Sequence, residues 1–425
     1  MMNRIKQVHA RRIWDSRGRP TVEVDVITES GALGRGIAPA GASRGTREAI
    51  ERRDGGTRFG GLDVMQAVQG IETEIAPALL GLDVTEQEKI DTLLIALDGT
   101  ADKSRLGGNA LIATSLAVLH AAAAAAHLPL WRYLAKDAVV QLPLPQIQIF
   151  GGGAHADRRV DIQDFMVIAT GARSFAQAME MTAEVYRHAG LLMKQRGSSQ
   201  GIADEGGWWP AFAHNEEALD VLVMSIEAAG FVPGQDVSIA LDIAASEFGH
   251  GGRYTLGLEK KELDSDALIE KLLRWLDKYP IVSIEDPVAE DDRKGMIAFT
   301  KAVAGRVQVV GDDYLVTNAK LVQEASQQKA CNAILIKPNQ AGTITETYAA
   351  LKAAQQAGYA TIVSARSGET EDVAIVHLAT GWNAGQLKVG SFARSERMAK
   401  WNEGIRVETT EPHPAGYCWQ ALKRR

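Results

Sequence analysis

The sequence predicts an α/β chain, with a barrel of repeated βα units over residues 137–425 behind an α+β domain over residues 1–136. Three observations predict it. Short β-rich runs recur from about residue 145 onward: VSIALDIA, IVSIEDP, VQVVGDD, AILIKPN, ATIVSARSGE and GQLKVGS. Their closing polar residues are Asp242, Glu285, Asp312, Lys337, Ser364 and Lys388, at steps of 43, 27, 25, 27 and 24 residues. A step of about 25 residues holds one strand, one helix and two loops. The runs are continuously apolar, as parallel strands covered on both faces are. No strand is followed by GxGxxG, which favours a closed barrel over an open dinucleotide-binding sheet.

The elements follow in order. Ile5 to Ile13 and Thr21 to Thr28 alternate apolar and polar residues, the pattern of half-buried antiparallel strands. WDSRGRP between them is turn chemistry. The glycine-rich stretch GRGIAPAGASRGT gives way to helical patterns that end in an Ala-rich helix, so strands precede helices as in an α+β domain. LPLPQIQ, near 142–148, has two prolines and reads as the crossover into the second domain. The long first step of the barrel holds an insertion from Gly249 to Leu263.

Composition narrows the function classes. A chain of 425 residues, 46% hydrophobic and 23% charged, is a globular protein too long for one small core. Its formal charge of −7 leaves no electrostatic footprint for nucleic acid or an anionic membrane. An anionic substrate therefore needs a local cluster of donors or a metal. Cys331 and Cys418 make neither a disulfide framework nor a zinc site. The longest apolar stretch, Asn109 to His127, is mostly alanine and is interrupted by His120, so it reads as a helix packed inside the protein. MMNRIKQVHARRIWDSRGRP lacks the apolar centre of a signal peptide, and a cytoplasmic protein is expected.

The chemistry lies in the register of charges. Strand carboxyl ends form the active face of such a barrel. Asp242, Glu285 and Asp312 close three consecutive runs. Converging there they would repel one another without a cation between them, and all-oxygen ligands suit Mg²⁺. Singly, each acid also reads as a turn residue or helix cap. Lys337 follows the next apolar run. It is either a base whose pKa a nearby divalent ion lowers, or a lysine that pairs with the acids. Asp204 and Glu205, in ADEGGWWP, read as a metal site, a general acid or an ordinary turn. Arg366 and Ser367, in SARSGET, suit a phosphate. Ser43 in PAGASRG and His155 in GGGAHAD lie in loops that read either as mobile closures bearing ligands or as plain loops, with the lone histidine structural.

Taken together, DSRGRPTVEVDV, GASRGTREA, LDGTADKSRLGGNA, DEGG, ALDIAASEF, SIEDPVAEDD, VGDDYLVTN, NAILIKPNQAGTITET, RSGETED, GQLKVGS and ARSERMAKWN resemble the enolase (phosphopyruvate hydratase) family. The resemblance runs from about residue 5 to residue 408. It implies an enolase-type α/β barrel with an N-terminal α+β capping domain, and antiparallel pairing among the early barrel strands. Asp242, Glu285 and Asp312 then correspond to the ligands of one Mg²⁺, and Ser43 to a ligand of a second. Lys337 corresponds to the base and Glu205 to the acid. Arg366 and Ser367 match the phosphate grip, Lys388 a residue near the substrate carboxylate, and His155 the loop histidine. Gln163 and Asp164 sit in the matching DIQDF stretch beside the acid. The implied reaction is the dehydration of 2-phosphoglycerate to phosphoenolpyruvate. Enolase-superfamily sites pair a Lys or His base with one or two Mg²⁺ ions. A homodimer or an octamer is implied as well.

The chain departs from that pattern at several places. Ala365 stands where the family usually has histidine in SHRSGE, which removes a donor and opens space. Asp164 replaces a glutamate and is one methylene shorter. Ala203 precedes DEGG in place of glycine, and Trp208 and Trp209 replace a smaller pair. Pro338 and Ala341 alter the backbone after the base. These differences leave three readings: an enolase with compensated contacts; a family member with an altered phosphorylated or phosphonate substrate, of the carboxyphosphonoenolpyruvate synthase kind; or a non-catalytic scaffold, which the retained carboxylates disfavour.

Overall fold

The computed structural model describes residues 3–410, 414, 416–418 and 422. The chain opens with an antiparallel sheet, β1 (Ile5–Trp14), β2 (Pro20–Thr28) and β3 (Leu33–Ile37). The turn between β1 and β2 is set by Asp15, whose Oδ1 accepts the backbone N–H groups of Arg17 (2.8 Å) and Arg19 (2.9 Å). The expected alternation holds for β1, but β2 is buried on both faces. Val22, Val24 and Val26 face the core. Glu23 and Asp25 face the other way and are covered by the guanidinium groups of Arg11 and Arg35.

The Ala-rich helix Gly108–Ala125 packs on this sheet, and 83% of its residues are buried inside the protein. The contact is backbone to backbone. A Cβ placed on Gly34 would lie 2.0 Å from the Ala117 carbonyl oxygen, and one on Gly36 would lie 2.2 Å from that of Ala113. Small residues on both elements allow this approach, so the composition that mimics a membrane span serves close packing in a core.

The second region is a closed barrel. Its eight strands, in spatial order, are β16 (Gly385–Gly390), β15 (Ala360–Ser364), β14 (Ala333–Ile336), β13 (Gln308–Gly311), β12 (Ile281–Glu285), β8 (Ser238–Asp242), β5 (Asp164–Ile168) and β4 (Leu144–Gly151), and β16 pairs back to β4. β5 is antiparallel to both β4 and β8, and the other barrel pairings are parallel. The proline-bearing segment near 142–148 is therefore largely a barrel strand, with Pro145 near its start, where a missing N–H is tolerated. A hairpin of β6 (Ser199–Ile202) and β7 (Trp208–Pro210) attaches to β4 at Phe150. The insertion at 249–263 is a small meander of β9 (Gly249–His250), β10 (Arg253–Leu256) and β11 (Lys261–Asp264).

The two regions are joined over the barrel mouth. Ala40 pairs antiparallel with Gly368 through hydrogen bonds of 2.9 and 2.8 Å. The first region thus covers the carboxyl ends of the strands, where the sequence puts its charges.

Candidate active site

Asp242 and Glu285 are the last residues of β8 and β12, and Asp312 follows β13 directly. They are not spent as helix caps. The helices after β11, β13 and β14 are capped instead by Asp264, Asn318 and Thr343, and the helix after β12 by Asp292. Glu285 sits beside Asp242 in the parallel register, and Asp164 sits beside Asp242 in the antiparallel one. Because β5 runs backwards, its amino end brings Gln163 and Asp164 to the same mouth.

Lys388, on β16, is the counter-ion of this cluster. Its Nζ lies 2.8 Å from Asp242 Oδ2, 2.9 Å from Glu285 Oε2 and 3.2 Å from Asp164 Oδ2. Burial works against the ammonium, but Asp242, Glu285 and Asp164 outweigh it and raise its pKa well above the ordinary lysine value. Gln163 donates to Asp242 Oδ2 at 3.1 Å. Glu285 is held well above the usual carboxylate range by burial and then by the charge of Asp242, and its buried Oε1 has no hydrogen-bond partner. An oxygen cluster short of positive charge, with an orphaned carboxylate oxygen, fits a hard divalent cation.

Asp312 has partners of its own. It accepts from Gln340 Nε2 at 2.9 Å and contacts the Lys337 ammonium. Among the described residues, the ligand atoms of Asp286, Asp312 and Asp313 lie within 4.8 Å of one another, as do those of His155, Asp164 and Glu205, whereas Asp242, Glu285 and Asp312 do not form such a group. Asp286 is committed to the fold: its two oxygens accept the backbone N–H groups of Asp312 (3.0 Å) and Asp313 (2.8 Å) and shape the turn after β13. Burial and the charge of Asp312 push its pKa up to about 8. Sequence reasoning passed over Asp286 and Asp313, although each is the second acid of a doublet, Glu285-Asp286 and Asp312-Asp313.

In the protein alone Lys337 pairs with the acids: burial lowers its pKa, but the Asp312 carboxylate and then Glu285 more than offset burial, and the net shift is upward. The lowered value belongs to a site that holds a divalent ion. The acid assigned to a metal is also the direct partner of the amine.

Glu205 lies in the turn of the β6–β7 hairpin and lines the same cavity as Lys337. His155 connects it to the acid cluster. Its Nδ1 is 3.2 Å from Asp164 Oδ1, and its Nε2 is 3.2 Å from Ser367 Oγ and 3.6 Å from Glu205 Oε1. Burial opposes its charge, but Glu205 and Asp164 raise its pKa to about 9, so it carries a proton at neutral pH. Gln148, unremarked in the sequence, bridges the same group. It donates to Asp164 and accepts the Gly207 N–H at 2.9 Å. The available signal was a polar residue inside the apolar run of β4.

Arg366 and Ser367 follow β15 and tie the two regions together. Arg366 donates to Glu48 at 2.9 and 3.2 Å, to Asn339 Oδ1 at 3.0 Å and to the Ser43 carbonyl at 2.9 Å. Ser367 Oγ accepts the Ala42 N–H at 3.1 Å. The loop bearing Ser43 is thereby stitched down on the barrel. Glu48 and Asn339 lie in the stretches GASRGTREA and NAILIKPNQAGTITET, but their type and spacing did not single them out as partners of Arg366.

One cavity gathers these groups. It is lined by Ser43, His155, Gln163, Asp164, Glu205, Asp242, Lys337, Arg366, Ser367 and Lys388, with Ala365 and Val389 as its apolar wall. Glu285 and Asp312 lie one contact deeper, on Lys388 and Lys337. A buried, cation-rich cavity with an amine and a carboxyl both on its wall suits proton abstraction and proton donation on a small anion.

Comparison with known proteins agrees with this geometry. Residues 5–134 match the family described as "Enolase, N-terminal domain", and residues 139–424 match "Enolase, C-terminal TIM barrel domain". "Enolase 1" of Desulfitobacterium hafniense is 50% identical over 417 residues, covering 97% of this chain and 95% of that protein. "Enolase" of Acidothermus cellulolyticus is 48% identical over 414 residues, covering 97% and 96%. With both of its regions matched and near-full-length relatives at this identity, the chain belongs to the enolase family.

Proposed function

We propose that this chain catalyses the Mg²⁺-dependent dehydration of 2-phosphoglycerate to phosphoenolpyruvate. The observation that carries the reading is the single cavity that Lys337 and Glu205 both line, above the acids Asp242, Glu285 and Asp312. The proton on C2 of the substrate is adjacent to a carboxylate and very weakly acidic. Asp242, Glu285 and Asp312 would hold one Mg²⁺ and Ser43 would serve a second, and the ions would supply positive charge against the negative charge that builds on that carboxylate. Lys337 Nζ, as the neutral amine that a nearby divalent ion would favour, takes the C2 proton, and its contact with Asp312 fixes the nitrogen in place. Glu205 gives a proton to the C3 hydroxyl as the C–O bond breaks. The electron pair left on C2 becomes the C2=C3 double bond, and water departs. His155 holds Glu205 and Asp164 in register, while Arg366 and Ser367 bind the phosphate. Lys388 holds Asp242, Glu285 and Asp164 close together.

The same reading divides the chain at residues 136 and 137 and makes it a cytoplasmic homodimer or octamer acting on a small phosphorylated anion. Ala365 on the cavity wall favours a second reading, a family member whose phosphorylated or phosphonate substrate carries an extra group. Ultraviolet absorbance of phosphoenolpyruvate, formed from 2-phosphoglycerate and Mg²⁺, separates the two. The first reading expects rapid formation that stops with a chelator and returns with Mg²⁺. Mg²⁺ binding without product supports the second. A protein that binds no Mg²⁺ contradicts both.

A further inference from the structure

We infer that Tyr186 is a positioning residue for the Glu205 carboxyl, acting through the peptide between Gly206 and Gly207. The inference rests on the reading of Glu205 as the proton donor.

Tyr186 lies on the helix Phe175–Arg196, outside the barrel and away from the cavity lining. Its hydroxyl donates to the Gly206 carbonyl oxygen at 3.0 Å. The N–H at the other end of the same peptide, on Gly207, donates to Gln148 Oε1 at 2.9 Å. Gln148 in turn donates to Asp164, which holds His155, which faces Glu205. The second peptide after the acid is therefore held from outside by a phenol and from inside by the group that orients the acid. Little slack remains in the loop. Gly206 has φ +93°, and a Cβ there would lie 2.2 Å from the Ala393 carbonyl oxygen. The Glu205 carbonyl accepts the Ser391 N–H at 2.8 Å.

The phenol is itself fixed. Its ring stacks on Trp208, with centroids 5.0 Å apart and planes 20° apart. Trp208 Nε1 donates to the Tyr186 carbonyl at 3.0 Å. Burial pushes the phenol pKa up to about 12, so the hydroxyl keeps its proton and stays a donor. Phenylalanine would preserve the stack, so packing alone does not require the hydroxyl. The hydroxyl is needed to hold the Gly206 carbonyl.

The elimination provides a readout that a purely structural role does not move. Lys337 removes the C2 proton, and Glu205 assists the departing hydroxyl. A misplaced Glu205 lets C2 recapture a proton before the hydroxyl leaves. In D₂O this appears as deuterium at C2 of recovered 2-phosphoglycerate. Tyr186→Phe is expected to lower kcat about two- to tenfold, the worth of one hydrogen bond, with KM within about twofold. The ratio of C2 exchange to phosphoenolpyruvate formation, followed by NMR, is expected to rise. Glu205→Gln, measured in parallel, is expected to raise that ratio further. Should Tyr186→Phe fail to fold, Trp208→Phe removes the bond to the Tyr186 carbonyl and is expected to shift the ratio in the same direction. If Glu205→Gln raises the ratio and neither aromatic variant does, the positioning role is overturned and Glu205 remains the donor. If Glu205→Gln leaves the ratio unchanged, the reading of Glu205 fails. Neither exchange nor product in the unmodified protein overturns both.

Discussion

Lys337→Ala is expected to reduce the formation of phosphoenolpyruvate by at least ~10²–10⁴-fold, the range that a positioned general base supplies. Lys337 closes the run that becomes β14 and is buried with its amine on Asp312. Among the cavity's other nitrogen groups, Arg366 is committed to Glu48 and Asn339, Lys388 to three carboxylates, and His155 to Asp164 and Ser367. None is free to replace a lost base. Asp242 and Glu285 keep their places in this variant, because Lys388 holds them. The variant is therefore expected to bind a divalent ion while failing to turn over. A coupled assay for phosphoenolpyruvate checks this, and near-normal turnover would contradict the assignment.

The second large effect is at Arg366. Its guanidinium pairs with Glu48 inside the protein, and both side chains are almost fully buried. Arg366→Met leaves the Glu48 carboxylate buried and unpaired, a loss of about 3–5 kcal/mol in denaturant unfolding. Replacing both partners with apolar side chains removes the orphaned charge, so the double variant with Glu48→Met is expected to regain most of that stability. It is not expected to regain activity, since the phosphate has lost its charged grip. Equal recovery of stability and turnover would show that Arg366 is only a strut between the two regions.

The sequence was most informative where the barrel repeats. Steps near 25 residues put Asp242, Glu285, Asp312, Lys337 and Lys388 at one mouth, because each strand end is equivalent to the next. Asp164 and Gln163 escape that logic. They begin a strand that runs antiparallel, so only the resemblance marked them as part of the site. Spacing also conceals partners. Glu48 and Arg366 are 318 residues apart, and nothing local to either announces the other. Gln148 and Asp286 were obscured by their neighbours, one inside an apolar strand and the other beside a more conspicuous glutamate.

The central claim is that Asp242, Glu285 and Asp312 hold a divalent ion, although Asp286, Asp312 and Asp313 form the tighter group in the protein alone. Burial and the charges of Asp312 and Asp286 keep the Asp313 carboxyl well above the usual carboxylate range, so asparagine should change little there. Mn²⁺ binding, followed by electron paramagnetic resonance in the unmodified protein, Glu285→Gln and Asp313→Asn, separates the two sites. The account predicts that Glu285→Gln abolishes tight binding and Asp313→Asn retains it. Binding that survives Glu285→Gln and is lost in Asp313→Asn would contradict it.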